Sequence, residues 1–104
     1  MKLNLTGRHF EITPHLRKHL DEKMLKLEKF NDQIIEGEVV LFKDHVSDIA
    51  EGKIHIGHVV IAARGEADDM YAAVNDLTEK ILVQLQRHEG RLRSRKRLSH
   101  PRGD

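Results

Sequence analysis

Residues 91–97 read RLRSRKR, five basic side chains in seven positions. With Lys80 and Arg87 upstream, they make a series of seven cations: Lys80, Arg87, Arg91, Arg93, Arg95, Lys96 and Arg97. The chemistry such a series can do is anion binding. Arg predominates, and its planar fork of N–H donors matches the oxygens of a phosphate. A solvated helix end explains Lys80 and Arg87 taken alone. It does not explain the whole series, because the favourable helix-dipole effect fades within one turn and the charge persists for several. Unmatched cations this close repel one another until a polyanion neutralises them. After Gly90 the only apolar residues are Leu92 and Leu98, so a helix lying on an anionic membrane is the poorer fit.

Other chemistries have weaker support. Among the eight histidines, His15 and His19 are one helical turn apart and His55 and His58 straddle a turn. Zinc needs three or four converging ligands, and nothing fixes the remaining ones. Asp48, Glu51, Asp68 and Asp69 read as turn and cap residues before they read as a hydrolytic carboxylate pair. The chain has no cysteine, which removes disulfides, thiolate metal sites and a cysteine nucleophile together. No phosphate-loop, nucleophile-elbow or zinc-protease motif occurs. The expectation is a non-enzymatic protein with neither metal nor cofactor.

Charge is distributed unevenly. Residues 1–79 carry 10 Lys or Arg against 15 Asp or Glu, whereas residues 80–104 carry 8 against 2, so a body of net −5 bears an end of net +6. Such an end directs one surface at a polyanion while the acidic remainder limits indiscriminate binding. With 104 residues, 38% of them hydrophobic, the chain suits one domain with one core. The start lacks the apolar centre of a signal peptide and no run is long enough for a membrane span, so a cytoplasmic protein without membrane contact is expected.

The elements that must position these cations follow from periodicity. Lys2 to Leu5 alternates as a short strand. Thr13-Pro14 reads as a cap followed by proline in the first helical position, opening a helix to about Phe30 with an apolar stripe of Leu16, Leu20, Met24 and Leu27. Ile34 to Lys43, the alternation around Ile54 and Ile56, and Val59 to Ala63 read as three strands. Gly57-His58 makes a tight turn of type II′ between the last two, and Asp44 to Asp48 a looser one. Gly37 and Gly52 read as bulges or ragged ends. Asp68 or Asp69 caps a second helix running to Arg87 or beyond, with Met70, Val74, Leu77, Ile81 and Leu85 as its stripe. Beyond Gly90, RLRSRKR is either a frayed extension of that helix or a mobile tail. The order is β-α-β-β-β-α, an α+β fold in which both helices pack on one face of a four-stranded sheet; the pairing order of the strands stays open. Exposed ring pairs of the kind an RNA recognition motif needs are missing, since only Phe42 lies in a middle strand. Shape and phosphate reading by helices fits better.

Three stretches, LNLTGR with EITPHLRKHLDEKMLKLEKF, the VVL strand, and DDMYAAVNDLTEKILVQL, carry a resemblance to the short bacterial ribosome hibernation-promoting factors, a family that includes the ribosome-associated inhibitor called protein Y. The resemblance spans Met1 to about Arg91. It implies a domain shaped like those that bind double-stranded RNA. It further implies binding to the small ribosomal subunit in the mRNA channel at the A and P sites, mainly through ribosomal RNA, with translation inhibited in stationary phase or stress. By position, Lys80 and Arg87 match basic residues of the family's second helix, Arg17, Lys23 and Lys26 match basic residues of its first, and Asp69, Met70 and Tyr71 match the start of the second helix in a structural role. Residues 1–90 then form the ribosome-binding domain and 91–104 a basic, mobile tail, on a protein monomeric off the ribosome.

One departure concerns KILVQL, where the family's K-L-x-R-Q-L run commonly has a basic residue and this chain has Val83; the tail is available to compensate. The basic end resembles the short hibernation-promoting type, in which pairing of ribosomes into inactive dimers would depend on an additional factor or would not occur at all. A competing reading from the charge alone is a protein-interaction module whose basic tail docks on an acidic partner such as a polymerase or sigma subunit.

Overall fold

The structure, a computed structural model, describes residues 2–30 and 32–99, the segment 90–99 by its backbone alone. In chain order it has β1 (Lys2–Gly7), α1 (Pro14–Met24) continuing into a 3₁₀ segment (Leu25–Phe30), β2 (Glu36–Lys43), β3 (Asp48–Ile56), β4 (Val59–Ala67) and α2 (Met70–Ser99). This is the α+β order read from the sequence. The four strands form one mixed sheet in the order β1-β2-β3-β4, with β1 parallel to β2 and the other pairs antiparallel.

Local chemistry sets the element ends. Thr13 is extended and its Oγ1 accepts the Leu16 N–H at 3.1 Å, with Pro14 in the first turn, the arrangement that satisfies an otherwise orphaned helix donor. Asp69, rather than Asp68, caps α2: its Oδ1 accepts the Ala72 N–H at 2.9 Å and its carbonyl accepts the Ala73 N–H at 3.0 Å. Gly57-His58 closes the β3–β4 hairpin, and Gly57 has φ +58° while His58 is not among the residues of positive φ. That is the pattern of a type II′ turn.

Two expectations need correcting. The first helix tightens to 3₁₀ after Met24. Buried residues are spaced by four as far as Met24 and by three through Leu27 and Phe30, and a helix of three residues per turn keeps such a series on one face. Gly37 and Gly52 mark no bulge. They sit in regular register, opposite Ile54 and Val39 respectively.

Both helices cover the same sheet face. Leu16, Leu20 and Met24 of α1 and Val74, Leu77, Ile81 and Leu85 of α2 join Val39, Leu41, Ala50, Ile54 and Ile61 of the sheet in one core. The tightest approach is at Gly65, where a Cβ would overlap the Ala73 carbonyl oxygen and the Leu77 backbone. Gly52 is next, facing Leu77 and Ile81 side-chain carbons at 3.1 Å. Gly65→Ala is therefore expected to push α2 off β4 and destabilise the domain by about 1–3 kcal/mol, the usual cost of overpacking. Chemical denaturation of the variant beside the parent checks this, and an unchanged midpoint would contradict it.

Candidate nucleic-acid interface

The surface around α2 starts from how it lies beside β4. Three side chains spaced by four on α2 reach three alternate residues of that edge strand. Asp76 Oδ2 accepts the Glu66 N–H at 3.1 Å, Lys80 Nζ donates to the Arg64 carbonyl at 3.0 Å, and Gln84 Nε2 donates to the Ala62 carbonyl at 2.9 Å. The match is geometric: four helical residues rise about 6.0 Å and two strand residues about 6.7 Å, so the contacts stay in step over three rungs. An edge strand normally leaves such groups open to pairing with another chain. Here the helix occupies them.

Lys80 also pairs with Asp76 at 3.1 Å. Burial alone would push the Asp76 carboxyl up, but the Glu66 N–H and the Lys80 ammonium outweigh it and hold the carboxyl below the ordinary Asp range, as hydrogen bonds and a nearby cation do for any charged carboxylate.

The expected cations fall into four groups. Lys80 and Arg87 lie on the β4 side of α2, around a groove of about 520 Å³ that Arg64, Val83 and Gln84 also line. Lys26 meets α2 from the α1 side, donating to Glu79 Oε1 at 3.0 Å. The His19 ring bonds Asn75 of α2 at 2.8 Å. Lys23 is one turn beyond His19, so it shares the flank of α1 that faces α2. Arg17 does not join them. It is about 200° around α1 from His19, and it pairs with Asp21 at 3.5 Å. Arg91, Arg93, Arg95, Lys96 and Arg97 lie in the segment whose backbone continues α2, but their side chains are outside the described residues.

The histidine pair has other work. His15 Nδ1 is 2.8 Å from the Tyr71 hydroxyl, and both His15 and His19 meet the Tyr71 ring edge-on. These contacts, with the bond from His19 to Asn75, join α1 to α2. Tyr71 thus acts where the helices meet, while Met70 beside it is buried in the core.

The opposite sheet face is a poor phosphate surface. Two of its basic side chains are already engaged by carboxylates, His55 by Glu38 at 2.8 Å and Arg64 by Glu51 at 3.3 Å. Phe42, the ring available there, already has the Arg8 guanidinium 4.0 Å over its centre. A ring so covered cannot also stack a base on that side, in keeping with recognition through the helices. Arg64 is the lining residue that sequence reasoning passed over, because a single arginine in a strand gives no cluster signal.

Comparison with known proteins agrees with this architecture. Residues 3–93 match the family described as Sigma 54 modulation protein / S30EA ribosomal protein. A ribosome hibernation promoting factor of Klebsiella oxytoca is 40% identical over 93 residues, 89% of this chain and 98% of its own length. A ribosome-associated factor Y of Haemophilus influenzae is 35% identical over 96 residues, 92% of this chain and 90% of its own. Among solved structures, a ribosomal subunit interface protein from Coxiella burnetii superposes with TM-score 0.82 at 26% identity, covering 86% of this chain and 99% of that one.

The edge contacts give a pH-dependent expectation. A carboxyl held below its unfolded-state value contributes stability fully above that value and loses it as pH falls through the folded-state one. Asp76→Ala should cost about 1 kcal/mol at pH 7, and its deficit against the parent should shrink below about pH 4. Urea titrations at pH 7 and pH 3 read both; a deficit that grows on acidification would contradict the assignment.

Proposed function

The chain belongs to the Sigma 54 modulation protein / S30EA ribosomal protein family, and from that membership we propose that it is a ribosome hibernation factor. It binds the small subunit in the mRNA channel across the A and P sites, grips ribosomal RNA and excludes mRNA and tRNA in stationary phase or stress. The action is occupancy, with no bond made or broken, so the protein is regulatory rather than catalytic and works in the cytoplasm. Pairing of silenced ribosomes into dimers falls to an additional factor.

The observation that supports this reading best is the pair of cations on the β4 side of α2, at the start of a basic C-terminal stretch. Lys80 and Arg87 lie beside the helix–sheet groove, and the sequence extends the charge through Arg91, Arg93, Arg95, Lys96 and Arg97 on a continuing helical backbone. The helix has 30 residues and β4 has 9. These lengths correspond to about 45 Å and about 30 Å, so the basic end of α2 reaches past the sheet. A rod presented this way suits phosphates lining a channel in folded RNA, where contact is to shape and backbone rather than to base identity. Residues 1–90 form the binding domain and the segment from 91 onward adds charge to it. Lys23 and Lys26 form a second basic flank, while Arg17, on the far side of α1, has a lesser part.

Co-sedimentation with purified small subunits tests the reading. Binding should weaken steeply between ~50 and ~200 mM salt as condensed counterions cease to drive it. Replacing Arg87 and Arg91 by Glu should reduce affinity by more than ~10-fold at ~100 mM salt while circular dichroism stays that of the parent. A doubly replaced variant that still sediments like the parent would exclude this face. Capture by an acidic protein that survives nuclease treatment, with no ribosomal RNA retained, would favour the interaction-module reading instead.

A further inference from the structure

The two helices run in the same direction and meet through a ladder of polar contacts. His15 faces Tyr71, His19 faces Asn75 and Lys26 faces Glu79, at 2.8, 2.8 and 3.0 Å. Spacings of four, four and three, from His15 through His19 and Lys23 to Lys26, keep these residues on one flank of α1 and its 3₁₀ continuation. Two members of that flank are lysines. The other two are histidines, the side chain whose ordinary titration falls between about pH 5 and 8. His15 is exposed and His19 partly so, which leaves both open to protons from water and to a ligand.

The partners of the two rings decide what protonation does. The Asn75 side-chain oxygen can only accept, so the His19 Nε2–H donates to it and the neutral ring keeps its lone pair at Nδ1. The Tyr71 hydroxyl both accepts and donates, so an imidazolium at His15 keeps its contact by donating from Nδ1. Each bond therefore survives protonation, and the helix junction with it. The remaining nitrogens, Nε2 of His15 and Nδ1 of His19, have no partner among the described residues. In the charged rings both are N–H donors. The added charge is unbalanced. From α2 the pair is faced by Tyr71, Asn75 and Glu79, whose carboxylate Lys26 holds. Asp68 and Asp69 precede that helix, the latter with its carboxylate on the Ala72 N–H. Along their own stretch of chain the neighbouring charges are Glu11, Lys18, Glu22 and Lys23. Among the described residues no carboxylate forms an ion pair with His15 or His19, in contrast to His55, which Glu38 meets at 2.8 Å.

We propose that His15 and His19 form a proton-dependent site for RNA phosphate, which extends the basic flank of Lys23 and Lys26 by a further pair of cations on acidification. Imidazolium N–H groups give the charge-assisted bonds that phosphate oxygens accept, and the two lysines supply neighbouring charge. The inference rests on the ribosomal-RNA reading above and adds to it a control by acidity. Falling pH tightens the grip on RNA without rearranging the helices, because the charge is added to rings whose contacts to α2 persist.

Equilibrium binding to purified small subunits across a salt series, at ~pH 6 and ~pH 8, tests it. The parent should bind roughly threefold to tenfold more tightly at the lower pH, with the log affinity against log salt plot steeper by about one to two. The double variant His15→Gln, His19→Gln should match the parent at the higher pH and lose most of the gain at the lower. The double variant His15→Lys, His19→Lys should bind at the higher pH as tightly as the parent does at the lower. Circular dichroism of each variant confirms folding. A glutamine variant weaker by the same factor at both pH values would give the histidines a packing role alone and overturn the proposal. So would a glutamine variant that keeps the parent's full pH response, which would then belong to another of the eight histidines or to the subunit. Either result leaves the wider reading standing, since the parent still binds. A parent that ignores small subunits at both pH values even in low salt would remove both.

Discussion

Everything on the functional side of this molecule depends on how closely α2 lies against the sheet. Glycines at 65 and 52 remove the two Cβ atoms that would hold the helix away, the first against helix backbone and the second against Leu77 and Ile81. That closeness brings Asp76, Lys80 and Gln84 within hydrogen-bonding reach of the β4 edge, and it orients the helix about its own axis. With the apolar stripe from Met70 to Leu85 buried, the β4-side flank has one possible direction. Packing, edge protection and display of charge are therefore one arrangement.

The same arrangement explains how a nearly neutral protein can act as a cationic ligand. Several of the cations on and around the two helices are matched locally: Arg17 by Asp21, Lys26 by Glu79, Lys80 by Asp76 and Arg64 by Glu51. These pairs are exposed enough to be weak, of the order of 0–1 kcal/mol each, so a phosphate can share their cations at little cost. Arg87 has no ion pair among the described residues, and the sequence beyond adds five more basic residues by Arg97. The positive potential thus grows along the helix. That gradient is in keeping with the channel-binding role proposed above.

Much of the fold was legible because the signals were local. Thr13-Pro14 and Asp69 cap the helices, apolar spacing marks their buried faces, and Gly57-His58 closes the hairpin as its backbone preference demands. What escaped the sequence depends on tertiary contact. Parallel pairing of β1 with β2 runs across a helical crossover and has no local signature. The change to 3₁₀ at Leu25 is set by the core that Leu27 and Phe30 must reach. Gly52 looks like a strand weakener until Ile81 and Leu77 are seen against it. Within the candidate site, the spacing of Lys80 and Arg87 placed them together correctly, whereas the separation of Arg17 from Lys26 depends on which flank of α1 meets α2.

The central claim is that the β4-side flank of α2 faces ribosomal RNA within the small subunit. The chain has no cysteine, so one introduced by Val83→Cys can carry a tethered hydroxyl-radical source at a single known position, with Val60→Cys on the opposite sheet face as the reference. Cleavage of small-subunit RNA mapped from position 83 is expected to fall in the decoding region and to exceed that from position 60. Equal cleavage from both positions, or cleavage confined to RNA outside the channel, would contradict the account.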